Sequence, residues 1–352
     1  MKNIFKNKKV LITGNTGFKG SWLSLWMHTL GAKVLGISLG HPSVPSNHRI
    51  LQLEKKIKFI KADIRNFKKL NYEINKFKPD FIFHLAAEAI VQRAFQNPIN
   101  VWETNTLGTV NILETIKRLN KNIIAVIITS DKVYKNLEIT RGYKEDDMLG
   151  SFDPYSASKA SADLATKSYF ETHLKNNKNV RLCIARAGNV IGGGDWSVGR
   201  IVPDCIKNWS QNKTVEIRNP NSTRPWQHVL DVLNGYITLA INVKSKVKLN
   251  GEAFNFGPKI EKNRKVIDVV KAIKHRWGNA KWKIYNKEKF PENKLLQLNS
   301  NKAKNKLNWR CKLNLKNTII YTTDWYKEYY TNKKNIYNYS IMQINKFNNI
   351  KK

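Results

Sequence analysis

The sequence predicts an α/β protein built on a doubly wound parallel sheet, followed by a smaller second unit. Two observations carry the prediction. Short apolar runs alternate with helix-period stretches as far as about residue 188, the pattern of parallel strands joined by crossover helices. The first run, Lys9-Val10-Leu11-Ile12-Thr13, leads into Gly14-Asn15-Thr16-Gly17-Phe18-Lys19-Gly20, and an apolar-periodic stretch opening at Ser21 continues to near Gly31. Strand, glycine turn and helix in that order form a seat for a dinucleotide pyrophosphate on backbone amides at a helix N-terminus, as in a Rossmann unit.

Further strands are expected at 34–38, 57–62, 81–85, 123–129 and 180–185, each short, apolar and β-branched. In such sheets ligands lie outside the carboxyl ends of the strands. Asp63, then Ala86-Ala87, then Ser130-Asp131-Lys132 follow three of these runs directly. The spacing Gly14, Gly17, Gly20 is wider than G-x-G-x-x-G. A P-loop is the competing phosphate motif, but it needs Gly-Lys-Ser/Thr, whereas Lys19 precedes Gly20. Beyond residue 188 the chain turns to Gly192-Gly193-Gly194-Asp195-Trp196 and Arg224-Pro225-Trp226-Gln227-His228, which read as binding loops. The expected division is a dinucleotide-binding domain over 1–188, with 223–257 returning to it, and a substrate-binding domain from 189–222 and 258–330. A weakly ordered tail is expected over 331–352, rich in Asn, Lys and Tyr without a clear period.

Composition sets limits on function. The 62 basic and 26 acidic residues give a net charge of +36, which by itself suggests a polyanionic partner. The lysines are spread along the whole chain, however, and no nucleic-acid-binding motif accompanies them, so no specific nucleic-acid partner is expected. Cys183, Cys205 and Cys311 form no C-x-x-C pair, which suggests neither a disulfide framework nor a zinc knuckle and fits a reducing cytoplasm. The histidines lack H-x-x-x-H spacing, so no metal is predicted. No apolar run reaches 18 residues, so no membrane span is expected.

The chemistry is concentrated in Tyr155-Ser156-Ala157-Ser158-Lys159. Residues i and i+4 share a helix face, so the Lys159 ammonium is placed to lower the Tyr155 phenol's pKa and make it a usable base. Ser130 stands 25 residues upstream, right after an expected strand. Together the three point to hydride chemistry on an alcohol.

Longer stretches are more specific still. Gly17-Phe18-Lys19-Gly20-Ser21-Trp22, Thr129-Ser130-Asp131-Lys132, the run from Arg186 to Trp196 containing Gly192-Gly193-Gly194-Asp195-Trp196, and Arg224-Pro225-Trp226-Gln227-His228 resemble the CDP-glucose 4,6-dehydratase family. That family is a branch of the extended short-chain dehydrogenase/reductases, and the likeness runs from about Lys9 to Tyr326. It implies bound NAD and conversion of CDP-glucose to CDP-4-keto-6-deoxyglucose with loss of water. It also implies that Tyr155 takes the C4 hydroxyl proton, with Lys159 and Ser130 as its partners. Asp131 would be the acid at C6, and Lys132 the base or polar assistant at C5.

For the cofactor the resemblance implies Gly14, Thr16, Gly17, Phe18, Lys19 and Gly20 at the pyrophosphate, Asp63 and Ile64 at the adenine, and Leu85, Ala86 and Ala87 on the nicotinamide side. Tyr155 and Lys159 complete that set. For the sugar nucleotide it implies Asn189, Arg200, Arg224, Trp226 and Asn255, with Trp196 and His228 nearby; His228 is given no catalytic role. The second strand ends Ser38-Leu39-Gly40-His41 without the acidic residue that commonly holds the ribose hydroxyls of NAD, so NAD over NADP rests on the family alone. A UDP-sugar 4-epimerase and a dTDP- or GDP-sugar dehydratase remain alternatives on the same fold. A non-catalytic, nucleic-acid-binding protein ranks last, because Ser130, Tyr155 and Lys159 are all intact. A homodimer paired through 104–119 and 154–169 is the default expectation.

Overall fold

The computed structural model describes residues 1–259, 264–285 and 295–351; parts of the expected substrate domain and the last residue of the expected tail lie outside them. The strands are β1 (Lys9–Thr13), β2 (Lys33–Ser38), β3 (Lys58–Lys61), β4 (Phe81–His84), β5 (Ile123–Ile128), β6 (Val180–Ala187), β7 (Val190–Ile191), β8 (Thr214–Ile217), β9 (Gln227–His228), β10 (Ala253–Phe256) and β11 (Lys281–Ile284). Seven of them form one sheet in the order β10-β6-β5-β4-β1-β2-β3, with every neighbouring pair parallel. The chain runs outward from β1 to β3 and then restarts at β4 on the other side. The crevice between the carboxyl ends of β1 and β4 is therefore the switch point where ligands bind in open α/β sheets.

Helices cover both faces, so the strands read as continuous apolar runs. All six residues of β5 are buried. Alternation along β1 sends Val10 and Ile12 into one apolar cluster and Leu11 into the other, as a period of two requires. The helices that matter here are α1 (Phe18–Thr29), α2 (Gly108–Arg118), α3 (Pro154–Tyr169), α4 (Ile201–Trp209), α5 (Val229–Ser245), α6 (Leu315–Thr331) and α7 (Ile336–Asn349). Two small parallel pairs, β8 with β11 and β7 with β9, stand beside the main sheet. Among the described residues no helix is long and apolar enough to cross a membrane.

α3 starts at Pro154, whose missing N–H would be unused there, and Asp153 caps it by accepting from Ser156 N at 2.9 Å. The helix is tied to the sheet by a buried ion pair. Arg186 on β6 donates from Nε and Nη2 to the two oxygens of Asp163 on α3, at 2.8 and 2.7 Å, and neither side chain is exposed. Thr129 Oγ1 adds a bond to Asp163 Oδ2 at 3.2 Å. With these partners the pair is satisfied, whereas removing one member would leave a buried charge alone.

The expected weakly ordered tail is instead a packed helix. Ile336, Ser340, Gln343, Ile344 and Phe347 of α7 are buried, a helical stripe spaced four, three, one and three residues apart. Phe347 meets Trp26 of α1 edge-on at 5.8 Å, and Trp325 Nε1 on α6 donates to Ser340 Oγ at 2.8 Å. Lys312 donates to the carbonyls of Phe347, Asn348 and Ile350, giving the helix C-terminus the cation its dipole favours. The Asn- and Lys-rich outer face hides this stripe in the composition.

Candidate active site

The end of β1 fits a dinucleotide closely. Gly14 has φ +71° and abuts the chain after β4, where an added Cβ would lie 2.7 Å from Ala86 N. At Gly20 a Cβ would fall 2.1 Å from Gly14 O, so the turn and the first turn of α1 can be this compact only with glycine. α1 opens at Gly17 with no side-chain cap, leaving its first amides for a ligand. Thr16 Oγ1 donates to Gly40 O at the end of β2, and Ala86 N donates to Thr13 Oγ1 at 3.2 Å. Leu85 and Ala87 flank this contact on the β4 side, so the turn and the β4 end form one wall.

Asp63 and Ile64 lie past β3. Arg65 grips the Asp63 carboxylate from Nε and Nη2 and also reaches Glu103; the Arg65 side-chain hydrogen bonds hold that carboxyl below its usual range. The Ile64 side chain packs on Gly108 of α2, and its carbonyl accepts from Asn111 Nδ2 at 2.9 Å.

A cleft of about 380 Å³ opens at the carboxyl ends of β5 and β6, within the size range of small-molecule sites. Its lining includes Ser130, Asp131, Lys132 and Tyr155 from the sheet side, Phe18 and Lys19 from α1, and Asn189, Arg200, Arg224 and Trp226 from the loops. Residues read separately from the sequence thus meet in one cavity. Ser130 Oγ donates to Asp131 Oδ1 at 3.0 Å and is also hydrogen-bonded to the Tyr155 hydroxyl. Asp131 is buried, and its Oδ2 has no hydrogen-bond partner, leaving an acceptor for a substrate hydroxyl. Gly188 is a requirement sequence reasoning missed, because a Cβ there would lie 1.9 Å from the Asp131 carboxyl carbon. Its signal was a lone glycine at the end of a strand, next to the acid's own strand.

The electrostatics depart from the simple expectation for the Tyr–Lys pair. Burial pushes the Tyr155 phenol up to about 12, opposed by its hydrogen bond to Ser130. Lys159 is pushed down to about 7, first by burial and then by the charge of Lys19, and its Nζ donates to Ile128 O at 3.2 Å. The expected lowering of the phenol by Lys159 is therefore not seen, because burial of both groups dominates. Lys19 is itself pushed down to about 8 by burial, with Arg200 adding to the effect and Asp131 opposing it. Burial works against the Arg200 guanidinium too, but Asp195, 3.0 Å from its Nη1, more than offsets it and holds the group above its ordinary value.

Three of the residues named for the sugar nucleotide do not line the cleft. Asn255 on β10 is fully buried, accepting from Tyr134 Oη at 2.7 Å and donating to the carbonyls of Tyr143 and Asn299. It braces this edge strand of the sheet against the segments that cover it, its amide donors and acceptor all satisfied locally. Trp196 is buried against Tyr326 and Tyr329. His228 caps α5, its Nδ1 accepting from Leu230 N at 3.2 Å.

The chain matches the family model of GDP-mannose 4,6 dehydratase over residues 11–322. It is 42% identical to a CDP-glucose 4,6-dehydratase of Salmonella typhimurium over 332 residues, 93% of this chain and 92% of the relative. It is 26% identical to a CDP-paratose 2-epimerase of Salmonella typhi, covering 90% of this chain and 98% of the relative. Among solved structures it shares its fold with a dTDP-glucose 4,6-dehydratase of Bacillus anthracis determined in complex with NAD, with a TM-score of 0.76, 24% identity, and 94% and 99% of the two chains covered. An epimerase of Methanothermobacter thermautotrophicus gives a TM-score of 0.81 at 22% identity, over 95% and 96% of the two chains. With the glycine turn, the switch-point crevice and the Ser–Asp–Lys–Tyr cleft in place, the chain belongs to the GDP-mannose 4,6 dehydratase family of sugar-nucleotide enzymes.

Proposed function

We propose that this protein converts CDP-glucose to CDP-4-keto-6-deoxyglucose and water. The observation that carries the reading is the acid with an unpartnered oxygen, Asp131, lying beside Ser130, Lys132 and Tyr155 in one cleft. An epimerase needs a base at C4 but no additional acid and base for elimination. The 42% identity to the Salmonella CDP-glucose enzyme supports the nucleotide.

NAD is the cofactor in this reading; when bound it supplies the acceptor and donor that make the overall reaction redox-neutral. Gly14, Thr16, Gly17, Phe18, Lys19 and Gly20 would hold its pyrophosphate, Asp63 and Ile64 its adenine end, and Leu85, Ala86, Ala87, Tyr155 and Lys159 its nicotinamide end. Tyr155 accepts the proton of the sugar C4 hydroxyl, and Ser130 hydrogen-bonds the same oxygen. Asp131 protonates the hydroxyl leaving C6, while Lys132, half-buried at the mouth of the cleft, assists removal of the C5 proton. Arg224 and Arg200 receive the diphosphate, where a guanidinium's planar fork matches phosphate oxygens. Asn189 and Trp226 line the same wall. The protein works as a homodimer paired through the helical segments around α2 and α3, where Trp102, Leu107 and Leu164 leave apolar surface exposed.

The test is incubation of the purified protein with NAD and, separately, CDP-glucose, dTDP-glucose, UDP-glucose and GDP-mannose. Loss of water from CDP-glucose alone, read by mass spectrometry and by the alkaline absorbance of the 4-keto product, is the expected result. Isomerisation of UDP-glucose with no dehydration of any substrate would replace the reading with an epimerase.

A further inference from the structure

Behind the glycine turn, on the loop that follows β2, two imidazoles and a carboxylate converge. His41 Nε2 lies 2.8 Å from Glu54 Oε1, and His48 Nδ1 lies 4.0 Å from the same oxygen. One ligand-type atom from each of the three residues lies within 4.8 Å of the other two. A tetrahedral first-row metal with bonds of about 2.0–2.1 Å sets its ligand atoms roughly 3.3 Å apart, so the spacing here brackets that of a metal site. The residues are seven and six apart in sequence, and that is why no ligand motif appeared.

Two features single the cluster out from a plain His–Glu ion pair. His48 is fully buried, and its Nδ1, aimed at the cluster, has no hydrogen-bond partner. A buried ring nitrogen left this way costs stability unless something binds it. In addition, the far nitrogen of each imidazole already has the outer partner that metal-bound histidines carry. His41 Nδ1 is 3.0 Å from Ser46 Oγ, and His48 Nε2 is 3.1 Å from the Asn15 side-chain amide. A half-turn of that amide presents its oxygen to His48 Nε2–H and frees the Nδ1 lone pair, while Ser38 Oγ, 2.7 Å from the amide's other end, accepts in place of donating. Phe59 packs on both rings, at 6.4 and 5.7 Å between centroids, and supplies a dry shell.

We infer that His41, His48 and Glu54 form a binding site for a single divalent transition-metal ion of the zinc type, with water as fourth ligand. Two imidazoles and one carboxylate select such an ion over magnesium or calcium, which take oxygen ligands. The charge closest to the site, Arg49, has its Nε 4.0 Å from Glu54 Oε1 and is largely exposed, so it can swing away as the metal arrives. Through Asn15 the ion would brace the glycine turn from behind, since Asn15 also packs against Gly36 of β2.

The test uses untagged, chelator-treated full-length protein titrated with Co²⁺ as the probe. One equivalent should bind with the intense visible absorption of a four-coordinate site, Mg²⁺ should not compete, and Zn²⁺ should displace the band. His41→Ala and Glu54→Gln, both at the rim of the cluster and outside the proposed catalytic set, should each weaken Co²⁺ binding by tenfold or more. Zn²⁺ should raise the melting temperature of the wild type but not of His41→Ala. Absence of a saturable Co²⁺ band in the wild type, or unchanged affinity in both variants, overturns the site. Dehydratase activity has no part in this readout, so failure of the proposed function and failure of the metal site are distinguishable.

Discussion

The sheet edge and the loops that face it across the cleft are built differently. On the sheet side Ser130, Asp131 and Tyr155 are buried and hydrogen-bonded to one another, and α3 is fixed to β6 by the Arg186–Asp163 pair. On the loop side Asn189, Arg200 and Arg224 are partly exposed, and Arg200 is anchored through the single side chain of Asp195. The difference suits the two tasks proposed for them. Proton transfer needs groups held within tenths of an ångström in a dry setting, whereas recognition of a diphosphate tolerates adjustment of long side chains and draws on charge acting over a distance.

Substitutions on the two sides should therefore fail in different ways. The largest effect belongs to Tyr155→Phe, which is expected to lower kcat by about 10³-fold with little change in KM, measured by steady-state product formation. Next comes Asp163→Asn, which leaves Arg186 buried without its counter-charge and should destabilise the fold by about 3–5 kcal/mol in urea unfolding. If that variant kept wild-type stability, the rigid description of the sheet side would fail. Across the cleft, Arg224→Lys should raise KM about tenfold and leave kcat nearly intact, because a point charge replaces a fork.

Smaller shifts test the electrostatics. Lys19→Ile removes a positive charge that lowers Lys159, so the pH limb of kcat/KM that reports Lys159 should move upward, the opposite of the result for a merely structural role. The smallest effect concerns stability and pH. Burial holds His228 near 3, against 6.5 when unfolded, so the unfolded chain takes up the proton first. Its contribution to stability is present above pH 6.5 and is lost as pH falls from 6.5 towards 3. His228→Asn keeps a capping side chain before α5 but cannot titrate, and should flatten the fall of melting temperature with pH in that window, by calorimetry.

How much of this was readable in the sequence follows from what each signal depends on. The strand at 34–38 is seen as Lys33–Ser38 and that at 123–129 as Ile123–Ile128, because buried parallel strands write themselves as unbroken apolar runs. The proposed catalytic set was legible because all five of its members are adjacent, as Ser130, Asp131 and Lys132 are, or at helical spacing, as Tyr155 and Lys159 are. Asn255 was misplaced because an amide bracing a strand and one lining a cleft have the same letter. The reversal at Tyr155 could not be read, since dehydration depends on what packs around a group rather than on its helical partner. The stripe in α7 and the His41, His48 and Glu54 cluster were missed for related reasons. One is masked by polar composition, and the other is assembled by a loop whose path no local spacing encodes.

One contact ties the two halves together. Trp22, one turn into α1, donates from Nε1 to Gly193 O at 2.8 Å, and Gly193 is pressed so close to Trp325 that a Cβ would lie 2.1 Å from the ring. The helix that follows the glycine turn is thus tied to the loop whose Gly192 and Asp195 line the cleft. On the proposed reading each ligand rests on one side of a shared partition, and any coupling through it would by thermodynamic reciprocity be mutual. The sugar nucleotide, by resting on that partition, is then expected to slow escape of the dinucleotide, which would leave the protein charged for its next turnover.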